Sequence, residues 1–100
     1  MDEKFKWKII NITVNNGKMR LVVDFGYGWK EIMEEDEEGN EIVRYEGKTQ
    51  RETLEVPAIL SKDQIIEYLN LHWANKYGPL DALEQALSGI AQLKGYVEKL

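Results

Sequence analysis

The chain of 100 residues contains no cysteine, two prolines and one histidine. Without cysteine, disulfide scaffolds, thiolate zinc sites and cysteine nucleophiles are excluded. No apolar run approaches the roughly 20 residues that a membrane-spanning helix requires. The first residues, Met-Asp-Glu-Lys, are charged and lack the apolar segment of a secretory signal. We therefore expect a cytoplasmic protein that does not contact a membrane.

Positive charge is also scarce. The 13 lysines and arginines are outnumbered by 18 aspartates and glutamates, which gives a formal net charge of -5. A general nucleic-acid binder needs a basic face, so direct binding of nucleic acid is not expected, whereas a basic protein partner is compatible with this charge. The length fits one domain, and hydrophobic residues make up 43% of it, which is enough for a modest core.

Residues 61–100 predict two helices. Ser61 is a favourable N-cap, and Gln64, three residues later, completes a capping box. Gly78 suits the left-handed position that ends a helix, and Pro79 suits the first turn of the next one. Because this junction is so short, we expect two adjacent and roughly antiparallel helices.

Apolar residues at spacings of three and four give each predicted helix one apolar stripe. The first stripe comprises Ile66, Leu69, Trp73 and Tyr77, and the second comprises Leu83, Leu87, Ile90, Leu93, Val97 and Leu100. Inside a helix, Gly89 and Gly95 each cost about 1 kcal/mol relative to alanine. We interpret them as a site of close packing; the alternative is a C-terminal turn that frays.

Residues 5–14 and 19–29 predict a β-hairpin. Asn16-Gly17 between them is the strongest short hairpin signal, since both residues tolerate positive φ. Aromatic residues on one face of this hairpin form a band, which we interpret as the core beneath the helices. A stacking platform for bases or sugars is the alternative, but the charge of the chain disfavours it. The band comprises Phe5, Trp7, Phe25, Tyr27 and Trp29.

The first strand of this hairpin changes phase partway along its length. Its apolar residues alternate up to Ile9 and then resume at Ile10, so that they switch faces. A β-bulge at this point would restore the pairing of Trp7 with Phe25. The alternative is that both faces of the strand are partly buried and no bulge exists.

From Glu31 to Glu41 the chain carries seven acidic residues and no basic one. Alignment with a calcium-binding loop places Tyr45 at the terminal ligand position, which tyrosine cannot fill, so no metal site is predicted. A solvated turn at Glu38-Gly39-Asn40 explains the run. The sharper alternative is a contact patch for a basic partner, since clustered carboxylates raise association rates. That patch comprises Glu34, Glu35, Asp36, Glu37 and Glu38.

Residues 42–45 and 48–58 predict a second hairpin that turns at Glu46-Gly47. Its charged residues leave little apolar surface to bury. It is therefore either a projecting contact arm or an ordinary edge hairpin that its charges protect from aggregation. In the first case the basic residues that contact the partner would be Arg44, Lys48 and Arg51.

His72 is the one candidate for a general base. Such a base needs a cleft and an orienting partner, but Asp63 and Glu67 fall on a different face of the predicted helix. We therefore interpret His72 as a partly buried structural residue. No catalytic residue, cofactor site or metal site is predicted.

These elements predict a single α+β domain. An antiparallel sheet of about four strands, formed by two β-hairpins, is covered on one face by two C-terminal antiparallel helices. We hypothesise a non-enzymatic protein–protein interaction module. The alternatives are a self-assembling structural subunit and an inhibitor whose carboxylates imitate nucleic-acid phosphates on a basic host protein. The size, acidity and hairpin-rich layout suit an accessory protein of a phage or mobile element, although no motif carries that hypothesis.

Overall fold

The computed structural model describes residues 3–100, which form three β-strands followed by two α-helices. The strands are β1 (Trp7–Asn15), β2 (Lys18–Glu35) and β3 (Glu41–Pro57), and the helices are α1 (Lys62–Lys76) and α2 (Gly78–Ala91). The strands form one antiparallel sheet in the order β1-β2-β3. The predicted α+β fold is confirmed.

The sheet has three strands, one fewer than the approximate count of four that the sequence predicts. Residues 42–45 and 48–58 do not form a hairpin, because β3 runs through Glu46-Gly47 and pairs with β2 on both sides of it. Gly47 marks a close contact rather than a turn. A Cβ added there would lie 2.5 Å from a ring atom of Trp29.

The turn between β1 and β2 lies at Asn16-Gly17, as predicted. Both residues have positive φ, at 53° and 72°, which matches the twist of a tight hairpin. The Ala58 N–H donates to the Gly17 carbonyl over 2.9 Å. This bond ties the turn to the end of β3.

The predicted β-bulge in β1 is also confirmed. The register of β1 against β2 shifts between Ile9 and Asn11, so that one residue between them is extra. As a result Trp7 lies opposite Phe25. Trp7 reaches the helical layer, where its Nε1 donates to Asn70 Oδ1 of α1 over 2.8 Å.

A second bulge, in β2, moves Trp29 out of the core. The register against β3 shifts just after Tyr27, where Gly28 has a φ of 67°. The Trp29 indole lies over Gly47, and its Nε1 donates to the Phe5 carbonyl over 2.8 Å. The predicted aromatic band is therefore split, because Trp29 packs with the N-terminal segment instead of under the helices.

The capping box that opens α1 is present. Ser61 Oγ accepts from the Gln64 N–H over 3.2 Å, and Gln64 Oε1 accepts from the Ser61 N–H over 2.8 Å. The junction after α1 is tighter than predicted. Gly78 does not end α1 in a left-handed conformation; it begins α2, and Tyr77 alone separates the helices with φ of -104°. The Tyr77 side chain anchors this junction because it is 1% exposed.

Helix α2 ends at Ala91, well before the end of the apolar stripe that predicted it. Nothing lies within 4 Å of a Cβ added at Gly89 or at Gly95. Gly95 has a φ of 83° and lies outside the helix. The interpretation of these two glycines as sites of close packing was therefore wrong.

The core lies between the helix-facing side of the sheet and α1. Its β2 members are two residues apart, so they share one face of the strand. The buried residues are Leu21, Val23, Phe25, Val56, Leu69 and Tyr77. Trp7 and Tyr27 are partly buried against them, so these members of the aromatic band lie in the core, as predicted.

The molecule is elongated. Its radius of gyration is 18.7 Å, against about 13 Å for a compact domain of this length, and its principal extents are 67 × 41 × 19 Å. The elongation comes from β2 and β3, which continue beyond the helices. Within residues 3–100, no helix has the length and apolarity needed to cross a membrane.

Candidate functional site

The distal part of the β2–β3 hairpin projects from the body of the protein. We call residues 30–46 the acidic arm. Among the described residues, hydrogen bonds from the helices reach Trp29 on β2 and Lys48 on β3 and go no farther along the arm. No residue of the arm is buried. Backbone pairing between its two strands holds the arm as an ordered ribbon.

The net charge of the protein is concentrated on the acidic arm. Residues 30–46 include eight acidic and two basic residues, whereas the rest of the chain has ten acidic and eleven basic residues. The body is therefore close to neutral. The arm accounts for the acidity of the whole chain.

The charged residues on the two faces of the arm differ in whether they form ion pairs. On one face, Arg44 Nη2 lies 2.9 Å from Glu34 Oε1 and 2.7 Å from Glu46 Oε1, so these charges compensate one another. The opposite face alternates carboxylates with apolar or aromatic side chains, as strand periodicity allows. We call it the contact face, and it comprises Glu31, Met33 and Glu35 of β2 and Glu41, Val43 and Tyr45 of β3.

An exposed apolar pair lies at the centre of the contact face. Met33 and Val43 are directly opposite each other and are 57% and 48% exposed. Glu31, Glu35 and Glu41 surround the pair, and none of them forms an ion pair within residues 3–100. An apolar centre with a polar rim is typical of protein–protein interfaces.

Asp36 shapes the tip of the arm. Its Oδ1 accepts from the Glu38 N–H over 3.0 Å and from the Asn40 N–H over 2.8 Å. Gly39 completes the turn with a φ of 82°. The turn predicted at these residues is confirmed, and Glu37 lies exposed on it.

The basic residues predicted to contact a partner form ion pairs within the protein. Lys48 binds Glu84 of α2. Arg51 donates two hydrogen bonds, of 2.7 and 3.0 Å, to Asp24 on the neighbouring strand, and these bonds lower the pKa of Asp24. Arg44 belongs to the compensated face of the arm. The structure therefore places these cations apart from the contact face.

Helix α2 packs on the sheet through polar side chains. Asp81 Oδ1 accepts from the Gly28 N–H over 2.8 Å, and Gln85 Nε2 donates to the Trp29 carbonyl over 3.0 Å. Pairing with the N-terminal strand ends near Gly26, so β2 has an open edge from this point. Helix α2 closes the start of that edge, which requires side chains that form hydrogen bonds.

The apolar side of α2 is consequently exposed. No residue of this helix is buried. We call this side the α2 face; its apolar residues are Leu80, Leu83, Leu87 and Ile90, which are 40%, 53%, 50% and 61% exposed. This arrangement inverts the usual one, in which a helix turns its apolar side to the core.

His72 contacts a carboxylate that sequence reasoning missed. Its Nε2 lies 3.2 Å from Glu52 Oε2 of β3, and Lys76 Nζ lies 3.0 Å from the other carboxylate oxygen. The Tyr77 hydroxyl also donates to this carboxylate. The cluster fixes the end of α1 against β3. Glu52 lies two residues before Leu54, so both side chains are on the helix-facing side of β3. A carboxylate on that apolar side is the sequence feature from which a contact with α1 could have been predicted.

The pKa values of the cluster reflect these bonds. Burial by itself raises the pKa of Glu52, but hydrogen bonds from Tyr77, Lys76 and His72 outweigh burial and lower the pKa to about 2. Burial and the adjacent carboxylate raise the pKa of Tyr77 well above its usual range. Within residues 3–100, no three acidic or histidine side chains are grouped to hold a metal ion.

A cleft of about 540 Å³ lies at the base of the acidic arm. Its aromatic walls are Phe5, Trp29, Tyr45 and Trp73. Lys4 Nζ lies 5.1 Å from the centre of the Tyr45 ring, and Lys6 Nζ lies 5.0 Å from that of Trp73. Cations of the chain itself therefore cover faces that a stacking ligand would use.

Function is inferred from these surfaces, namely the acidic arm and the α2 face. Comparison of the chain with models of protein families, with curated protein sequences and with solved structures finds no match.

Proposed function

We propose that the protein is a non-enzymatic interaction module whose acidic arm binds a basic protein partner. The contact face carries this proposal. Its three carboxylates have no ion-pair partner within residues 3–100, and they surround the exposed pair formed by Met33 and Val43.

Electrostatics supports a basic partner. The arm extends away from a nearly neutral body. Lys4 of the body lies over Tyr45 at the base of the contact face, whereas Glu35 and Glu41 lie beyond Met33 and Val43, toward the tip. Salt screens exposed charges over about 8–10 Å at physiological ionic strength. A projecting arm brings its carboxylates within that range of a partner before the bodies meet. Complementary charge then raises the association rate and disfavours acidic competitors.

The apolar centre supplies a second component of binding. Complete burial of a side chain such as methionine or valine contributes roughly 1.5–3 kcal/mol, and Met33 and Val43 have about half of their surface still to bury. Methionine also adapts its shape to irregular surfaces. We therefore expect the partner to present an apolar group within a basic rim.

Two variants with equal net charge test the proposal. The contact-face variant is Glu31→Gln/Glu35→Gln/Glu41→Gln. The body variant is Glu55→Gln/Glu67→Gln/Glu98→Gln, at exposed positions away from the arm. Asp36 is retained in both because it holds the turn. Each immobilised protein is used to capture partners from the cell extract, and bound proteins are identified by mass spectrometry and eluted with salt.

We expect wild type and the body variant to retain the same basic protein, and the contact-face variant to lose it. Circular dichroism and thermal melting check that all three proteins are equally folded. Equal retention by the contact-face variant, or a retained protein that is acidic and insensitive to salt, contradicts the proposal.

A further inference from the structure

The α2 face has the spacing of a coiled-coil seam. Leu80, Leu83, Leu87 and Ile90 follow one another at intervals of three, four and three residues. This is the a/d pattern through which two helices pack as knobs into holes. Each of these side chains is at least 40% exposed, so the seam has no complete cover within the described residues.

The other side of α2 is occupied by the sheet. Asp81, Glu84 and Gln85 bond to β2 and β3. Rotating the helix to bury its leucines would break all of these contacts. The chain's own core therefore leaves the seam uncovered.

The distribution of charge on α2 selects a second copy as the occupant. Asp81 and Glu84 are the charged residues of Gly78–Ala91, and both face the sheet. The four seam residues are uncharged, and Glu84, which borders them one turn from Leu80 and from Leu87, is neutralised by Lys48. The face therefore offers a basic partner no unpaired counter-charge, whereas two identical faces of this kind meet without like-charge repulsion.

Small residues beside the seam suit a close helical neighbour. Ala82 and Ala86 lie beside the leucines. Contact residues set how closely two helix axes approach. Large seam residues of one helix can thus rest against the small flank of the other.

We infer that α2 pairs with α2 of a second copy of this chain, in a two-fold symmetric dimer with Leu80, Leu83, Leu87 and Ile90 at its centre. A two-fold axis places the same patch of each subunit in the interface. This inference goes beyond the partner proposed for the acidic arm and does not depend on it. The dimer presents two arms, and simultaneous engagement of both would raise the avidity for a repeated partner.

Sedimentation equilibrium from low micromolar to near-millimolar concentration tests the pairing. We expect a concentration-dependent mass that approaches twice the 11.6 kDa of the chain. Leu83→Glu/Leu87→Glu should weaken association by about 100-fold or more, because it places charges at the centre of the interface. The control Thr49→Glu/Thr53→Glu adds the same two charges on exposed β3 positions and should associate as wild type does.

Cysteine cross-linking provides a second measurement, since the chain has no cysteine of its own. Single cysteines are introduced in turn at the four seam positions, and at Thr53 as the control. We expect a disulfide-linked dimer from at least one seam position and none from Thr53→Cys. A monomeric wild type across the concentration range, or unchanged association of the Leu83→Glu/Leu87→Glu variant, overturns the inference. So does an α2 face that binds only a different protein.

Discussion

Asp81 of α2 accepts a hydrogen bond from the backbone N–H of Gly28 over 2.8 Å, and this bond joins a helix to the open edge of a strand. A sheet edge presents unpaired N–H and C=O groups that leucine side chains cannot satisfy. The edge therefore selects the polar side of α2. The leucines on the opposite side are left exposed as a consequence.

Removal of the Asp81 acceptor should loosen α2. We expect Asp81→Ala to lower the free energy of unfolding by about 1–2 kcal/mol, because the Gly28 N–H loses its partner. Asp81→Asn keeps an Oδ1 acceptor, so its free energy of unfolding should fall by less than half as much. Urea unfolding measures both, and hydrogen exchange should show faster exchange at Gly28 in Asp81→Ala only. Equal stability of Asp81→Ala and wild type would argue against this role.

Two glycine substitutions should have opposite effects. A Cβ at Gly47 meets the Trp29 ring at 2.5 Å, so Gly47→Ala should destabilise the protein by about 1–3 kcal/mol through overpacking. At Gly89 in α2 nothing lies within 4 Å, and Gly89→Ala should stabilise it by up to about 1 kcal/mol. Thermal melting compares the two. A Gly47→Ala variant as stable as wild type would show that Trp29 does not lie over Gly47.

Glu52 should make stability depend on acid pH. Its pKa falls from 4.5 to about 2 in the folded protein. Because the folded pKa is the lower one, the stability that it contributes is fully present above about pH 4.5 and is lost as pH falls toward 2. Glu52→Gln should lower the free energy of unfolding at neutral pH by on the order of 2 kcal/mol and flatten its slope across that window.

The control for Glu52 is Glu55→Gln. Glu55 pairs with Arg20 at the surface, where both side chains are more than half exposed, so the expected change is under about 0.5 kcal/mol. Urea unfolding between pH 2 and pH 7 measures both variants. If Glu52→Gln and Glu55→Gln have the same pH profile, the cluster of Glu52, His72, Lys76 and Tyr77 does not stabilise the fold as described.

The apolar and charged parts of the contact face should affect different rate constants. Met33→Thr removes apolar contact while it keeps a side chain suited to a strand, and we expect faster dissociation of the partner with unchanged salt dependence. Glu35→Gln should instead slow association, and the loss should diminish at high salt. Surface plasmon resonance separates the two. Val14→Thr, on exposed β1 surface, should change neither rate.

The features predicted correctly from the sequence are those that neighbouring residues determine. The Asn16-Gly17 turn requires only two residues that tolerate positive φ. The capping box of Ser61 and Gln64 closes within one helical turn. The bulge in β1 could be predicted because a single insertion explains several cross-strand pairs at once.

The features that were missed depend on distant contacts. A glycine that turns the chain and one that lies under an indole ring look alike in sequence, so the sequence predicts a turn at Gly47, where the structure has a contact with Trp29. The bond between Glu52 and His72 joins β3 to α1. The orientation of α2 depends on where pairing with β1 stops, which leaves the edge at Gly28 to be closed by Asp81. An apolar stripe alone predicts the opposite orientation.

The most direct test of the central claim is the dissociation constant of the captured basic partner for three proteins: wild type, the contact-face variant and the body variant. It is measured by titration calorimetry at low and high salt. The account predicts that the contact-face variant binds at least about tenfold more weakly than the other two, a difference of roughly 1.4 kcal/mol, and that the gap narrows as salt rises. Equal affinity of the contact-face and body variants at both salt concentrations would contradict the claim that the acidic arm is the binding surface.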